Sequence, residues 1–595
     1  MTSPPAGTTV PRATRLPGGG LGAWSLALLL LALFAWLLWP GLRANTPTAD
    51  EFAHVPAGYA YWRGAPLSVY QNSPPLGRLL LAAPLLLADP PPRVDLASAR
   101  TARSGWRPWA FAHRFMQLNH DRYFELFFRA RLVSVALGVL GGLVVFAWSR
   151  HLFGPPGGLV SLFLYVLSPE VLAHAGLATT DIAFAVAWTA ALLFWALFLE
   201  RPGWTRLLAA SLAASAAALL KHSGPLLLPL FAVSAALTLR STTPALPPLD
   251  RLGPRWRRLA TGLVALGAAA ASLCLLAVAL YGPAQAPTRL DEVAARGRTF
   301  RSLGGSPLGR VPLPLPHGYL AGLDSQLRDA EETPSYLLGR WAPRGQRSYF
   351  VVAFLVKTPI PVLLLVATPF LFPSRWGDGG RRARAWVTLL VPAAVYVAAV
   401  SLSNMHLGLR YALPAYLLAL VLAGASAEVA ARSPVGLRVG GALLLGWLLG
   451  ATVLARPHFL PYFNEAAGGM KGGDRFLVDS NIDWGQDLGR LADWLKARRV
   501  AAPIDLLYFG HVDPALYGIA WRVPPPVPPG PGERRPLTVA SVNFVRGYAY
   551  RLTYAEPPQD VGPDAYRWLG DYEPIDRVGG SLLVYDLDPR RLRKR

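Results

Sequence analysis

Cysteine is almost absent from this 595-residue chain, and charge is scarce. The one cysteine, Cys274, sits inside an apolar run, which excludes an intrachain disulfide and leaves no sign of redox compartment. Charged residues make up 16% of the chain, where a soluble domain carries about 25%. Lysine is rarer still, with five among 58 basic residues. There is no Walker motif, no zinc-ligand cluster and no GxSxG, and no long internal repeat. Glycine pairs such as Gly304-Gly305 lack the strand–helix context of a phosphate loop.

What the chain has instead is apolar length. Hydrophobic residues reach 53% and mean hydropathy is +0.32. Long apolar runs recur along most of the sequence and predict a polytopic α-helical membrane protein. The spans fall near 22–40, 128–149, 156–173, 182–199, 206–221, 224–240, 260–281, 349–373, 385–402, 411–429 and 437–455, about eleven in all. Arg12 and Arg15 precede the first run, and no small-residue cleavage site follows it. It therefore reads as an uncleaved span after a cytoplasmic tail, residues 1–21. The net charge of +23 would suit nucleic acid on a soluble protein. Here the arginines cluster at span ends such as Arg150, Arg201, Arg257, Arg382 and Arg438. That is the pattern of positive-inside topology and anionic headgroups, so the bilayer is the expected partner and nucleic acid is not.

This topology places two long loops, 41–127 and 282–348, and everything after 455 outside the cytoplasm. In the first loop Phe52, Val55, Tyr59 and Trp62 share one helical face suited to a membrane interface. The run Leu79–Ala88 is too short to span and should re-enter or lie flat. The second loop is rich in Gly, Pro and Arg. Residues 456–595 read as a small α/β domain, with strands at Arg475–Asp479, Ile504–Phe509, Leu537–Phe544 and Ser581–Asp586 and a helix at Gly485–Arg499. The expected architecture is a membrane domain over 22–455 followed by that extracytoplasmic domain, in a cell membrane.

The chemistry-bearing residues gather on the outer side. Asp50 and Glu51 open a helix just after the first span, with His54 one turn on from Asp50. A carboxylate–imidazole pair deprotonates a hydroxyl or ligates a metal, although the same acids also suit a positive helix start. Asp181 stands at the mouth of the fourth span, where a carboxylate is either functional or a helix cap. Lys221, His222, His406 and Arg410 are outer-surface bases and so run against the orientation rule. A phosphate headgroup explains them, as does snorkelling to the interface. The polar run Asp479–Asp487 lies between a predicted strand and helix, where either a ligand site or a helix cap fits.

Taken in order, Asp50-Glu51, His54, Gly58-Tyr59, Pro74-Pro75-Leu76, Asp181 and Lys221 resemble bacterial members of glycosyltransferase family 39. These are relatives of the protein O-mannosyltransferases and lipid A aminoarabinose transferases, with the membrane fold termed GT-C. The strings Asn404–Pro414, Tyr462–Glu465 and Asp479–Leu488 resemble one bacterial branch, so the likeness runs along essentially the whole chain. The resemblance implies a polyprenyl-phosphate sugar donor, an extracytoplasmic acceptor and inversion at the anomeric carbon. It implies Asp50 as general base, Glu51 on acceptor or metal, and Asp181 as the second acid near the donor. It implies Lys221, His222 and Arg410 around the phosphate, with His54 and His406 lining the substrate. A divalent metal stays open, with Asp50, Glu51 and Asp181 its candidate ligands. No sugar-binding repeat domain of the eukaryotic mannosyltransferases is recognisable. Two rival readings are a transporter and a non-catalytic partner in envelope glycan assembly. Transporter charges sit near the midplane between inverted repeats, whereas these cluster at one surface.

Overall fold

Residues 19–101, 107–239, 246–247, 249–295 and 297–592 are described by a computed structural model. The expected cytoplasmic tail with Arg12 and Arg15 lies largely outside them. The fold is predominantly helical. By length and composition, seven helices among the described residues can cross a bilayer, and an eighth counts if a bent pair is one span. These seven differ from the eleven expected runs for local reasons. The Tyr123–Val166 helix carries two of the runs and breaks at Gly154, whose φ of 74° is left-handed and precedes Pro155 and Pro156. Trp204–Leu220 and the apolar stretch Gly224–Thr238 are helical but shorter than a full span. Tyr349–Lys357 and Ile360–Leu371 meet at 114°, where Pro359 interrupts the ladder.

The bend is held from outside. Lys357, at its apex, donates to the carbonyls of Leu460 at 2.7 Å and Asn481 at 2.8 Å, and its ammonium stands 3.7 Å from Glu170. A buried ammonium needs such partners.

The segment after the first span forms the Ala49–Trp62 helix, the Leu76–Ala82 helix and a 3-10 turn at Ala83–Leu87. Phe52, Val55 and Tyr59 of the aromatic face are fully buried in protein, and Trp62 is about half exposed. The two helices touch backbone to backbone at Gly58, where a Cβ would fall 2.1 Å from the Arg78 carbonyl oxygen.

After the last span the chain builds a five-stranded sheet. Its order is Trp521–Arg522, Ile504–Leu507, Thr538–Ser541, Leu582–Tyr585, Asp576–Val578. The first three strands are parallel and the last two antiparallel to their neighbours. The Leu488–Ala497 helix follows the expectation. The expected strand at 475–479 is instead two 3-10 turns, Gly473–Arg475 and Asp479–Asn481, because Asp479 takes a φ of 60° that no strand permits. One continuous apolar core runs from Ala23 in the first span to Leu587 beyond the sheet.

Candidate active site

The site is assembled from four places in the sequence: residues 46–54, 178–181, 221–222 and 406–410, roofed by 479–487. Backbone bonds join the first and the last. Thr46 N–H donates to the Gln486 carbonyl and Ala49 N–H to the Trp484 carbonyl, both at 2.9 Å. The tail segment is fixed to the sheet end by Asn543, which accepts from Asp479 N–H at 2.8 Å and donates to the Asp483 carbonyl at 3.2 Å.

Glu51 and Asp50 part company here, as adjacent helical residues must. Glu51 is fully buried. One oxygen accepts from Arg131 Nε and Ala178 N–H, each at 2.7 Å. The other accepts from Arg131 Nη2 at 2.8 Å, Thr48 N–H at 2.9 Å and Thr48 Oγ1 at 3.0 Å. Burial pushes this acid up, but the charge and hydrogen bonds of Arg131 outweigh it, so the carboxyl titrates below its ordinary range. The expectation that Glu51 meets acceptor or metal is corrected: its lone pairs are all engaged. It joins the start of the 49–62 helix to the turn before Asp181.

Asp50 turns the other way and ends in an alternating chain of charges. Arg410 Nη1 donates to Asp50 at 2.8 Å and stands 3.5 Å from Asp181. Lys221 donates to the other oxygen of Asp181. Asp181 and Arg410 are deeply buried, whereas the Asp50 side chain is 25% exposed and that of Lys221 14%, so Asp50 is the more open end of the chain. Arg410 is held flat between neighbours: Ser480 accepts from its Nε at 3.0 Å, the Trp484 ring lies 4.1 Å away and the Tyr411 ring 4.9 Å away. Lys221 lies 5.1 Å from the same Tyr411 ring. Such fixed, desolvated charges are suited to stabilising charge that develops in a reaction.

The histidines take other parts. Asp50 is bonded to Arg410 rather than to His54. The buried His54 ring packs on Tyr70, Nδ1 has no partner, and burial lowers its pKa to about 4. His222 is also buried with both ring nitrogens unpartnered; burial first, then the Arg78 charge, lowers it to about 3. A neutral imidazole here offers a hydrogen bond rather than a positive charge. His406 accepts from Gln346 N–H at 2.9 Å and stacks on Tyr349, which fixes the 404–410 loop.

Asp50, Glu51 and Asp181 do not fit a metal site. Glu51 faces Arg131, and the other two acids already share two cations. Among the described residues no three His, Cys, Asp or Glu side chains gather as a metal site.

Several participants escape a reading of short motifs. In sequence Arg131 looks like an ordinary span-end arginine and Arg78 like a loop arginine, yet both are essentially unexposed. Ser480 and Trp484 meet Arg410 only because the tail folds back. A signal was present in the Asp479–Asp487 run, whose polar density is high for an apolar chain.

Comparison with curated proteins finds no match. Solved structures similar to this chain include two at low TM-score. ArnT from Cupriavidus metallidurans bound to undecaprenyl phosphate is 14% identical, covers 96% of this chain and 99% of its own, and gives a TM-score of 0.29. The oligosaccharyltransferase AglB from Archaeoglobus fulgidus, in complex with an inhibitory peptide and a dolichol-phosphate, is 12% identical, covers 84% and 60%, and gives 0.37. At these TM-scores neither likeness bears on the site. Residues 111–247, which include Asp181, Lys221 and His222, match the family model described as dolichyl-phosphate-mannose-protein mannosyltransferase, the family group that the sequence motifs resemble.

Proposed function

We propose that the protein is an integral-membrane glycosyltransferase. It moves a sugar from a polyprenyl-phosphate carrier to an acceptor hydroxyl outside the cytoplasm, with inversion. The observation that carries this reading is the chain Asp50–Arg410–Asp181–Lys221, whose most open carboxylate is Asp50. At rest its two anions and two cations balance. In the reaction Asp50 takes the proton of the acceptor hydroxyl. The acceptor oxygen attacks the anomeric carbon, and that carbon's bond to phosphate oxygen breaks with its electron pair left on the phosphate. Protonated Asp50 no longer neutralises Arg410. The guanidinium then carries uncompensated positive charge at the moment the leaving oxygen becomes negative.

In this reading Asp50 is the base, and Arg410 with Lys221 is the electrostatic support. Asp181 holds both cations in place. Glu51 is a positioning residue, because it reaches the reaction only through the helix it anchors. Family 39 sequences supply the donor class by resemblance. ArnT with undecaprenyl phosphate and AglB with a dolichol-phosphate bind carriers of that class. The arginine bias at the opposite span ends supports an outside position for this surface. The test is transfer from a labelled polyprenyl-phosphate sugar in membranes, wild type against Asp50→Asn. Product from wild type alone is expected. Equal product from both removes Asp50 as base, and none from wild type with any common sugar returns the transporter and partner readings.

A further inference from the structure

The balanced chain leaves one charge unanswered. A sugar–phosphate diester brings a negative charge into the site before any bond breaks. Arg410 and Lys221 are then already paired with Asp50 and Asp181. The structure holds another cation close by. Arg78 is completely buried, and no carboxylate lies within ion-pair distance of it among the described residues. A guanidinium out of water without a counter-ion is costly, and it persists where something else supplies the anion.

Its surroundings are those of an incomplete site. Arg78 Nη2 donates to the carbonyls of Tyr70 at 2.9 Å and Ser73 at 2.6 Å, and Nη1 donates to Ser73 Oγ at 2.6 Å. Nε has no partner. The Tyr70 ring lies 4.4 Å from the guanidinium and 5.2 Å from the His54 ring, whose Nδ1 is also free. Both nitrogens of His222 are unpartnered. Buried polar atoms are normally bonded, so these four nitrogens leave hydrogen-bonding capacity for an anion beside Arg78.

The placement is close to the reacting chain. A Cβ on Gly77 would fall 2.6 Å from Thr180, beside Asp181, and 3.3 Å from Leu220, beside Lys221. The His317–Glu332 helix closes the far wall. A Cβ on Gly322 would fall 2.5 Å from the Gln71 carbonyl and 2.9 Å from His222 Nε2. Glycine lets that helix come down onto the 70–78 loop.

We propose that Arg78, with the neutral imidazole of His222 as hydrogen-bond partner, is the seat of a phosphate monoanion, the donor's phosphate before transfer. This rests on the transferase reading. Arg78 carries the charge the donor brings, and Arg410 meets the charge that the reaction creates. The two arginines therefore separate kinetically. Arg78→Gln is expected to raise the KM for the lipid donor about tenfold or more, the scale of a lost charge-assisted hydrogen bond. It leaves kcat and the acceptor KM nearly unchanged. Arg78→Lys, which keeps the charge but not the fork, is expected to recover most of the loss.

A purely structural Arg78 that only knits the 70–78 loop predicts otherwise. Both variants then lower thermal stability and kcat together, and lysine rescues neither. That result overturns the proposal. Binding to purified full-length protein provides the independent arm, with undecaprenyl phosphate and inorganic phosphate as separate probes. Binding of either probe to wild type, lost in Arg78→Gln and regained in Arg78→Lys, supports the site. The lipid probe alone identifies a lipid headgroup, and inorganic phosphate alone a free anion. Equal binding by wild type and Arg78→Gln, or none by wild type, overturns it. Phosphate binding with no glycosyl transfer by wild type keeps the anion site and rejects the transferase.

Discussion

Replacing Glu51 with glutamine separates positioning from chemistry. The wild-type carboxylate accepts five hydrogen bonds in a site without solvent. Glutamine keeps one acceptor oxygen and puts an NH2 where the other oxygen was, so donors face a donor. It also leaves Arg131 buried and uncompensated. Removing one partner of a buried pair costs about 3–5 kcal/mol, which is roughly two to four orders of magnitude in the local equilibrium. The cost falls where the 49–62 helix starts and where Ala178 approaches Asp181. The assay is survival of monodisperse, full-length protein in detergent after heating, read by gel filtration. Glu51→Gln is expected to aggregate at clearly lower temperature. Acid gives a second reading. The folded Glu51 titrates below its ordinary 4.5. Its ionised form therefore stabilises the protein above that pH, and the contribution fades as pH falls through the lower folded value. Glu51→Gln is expected to lack that acid-sensitive part. A variant as heat-stable as wild type but without transfer would refute the reasoning and return Glu51 to the substrate.

Two further outcomes follow from packing and burial. Gly58→Ala drives a methyl into the Arg78 carbonyl, 2.1 Å from the ideal Cβ, and is expected to destabilise by about 1–3 kcal/mol. Gly22→Ala, with nothing within 4 Å, is the matched control for the same heating assay and should be unchanged. Asp483 is buried with one oxygen unpartnered, and burial raises its pKa to about 7 from 3.8. The proton it holds therefore stabilises the fold below 3.8, and that contribution is lost as pH rises through 7. Asp483→Asn is expected to flatten this fall in heat stability between acid and neutral pH. An unchanged slope contradicts the burial argument.

The helices of this protein were legible in its sequence because apolar length is their cause. The 49–62 helix was legible from its acidic start and aromatic spacing. Lengths shorter than a span, at 204–220 and 224–238, were not, since they depend on where Lys221 and the 222–226 turn are held. The site was legible in part. Asp50, Asp181, Lys221 and Arg410 stand together because each is a charge at a helix end on the same side of the spans. The roles of Glu51 and His222 were not, because spacing is silent on what a side chain meets once buried. Arg131 lies 80 residues from Glu51 in sequence, and no local pattern marks the pair. The turn at Asp479–Asn481 was missed because a left-handed aspartate within an apolar run reads as strand.

The most direct test of the account remains the base. Transfer of labelled sugar from a polyprenyl-phosphate donor is measured in membranes that carry equal amounts of wild type and Asp50→Asn protein. The account predicts product from wild type and a loss of at least about a hundredfold in the variant, the scale of a removed general base. Undiminished transfer by Asp50→Asn would contradict it.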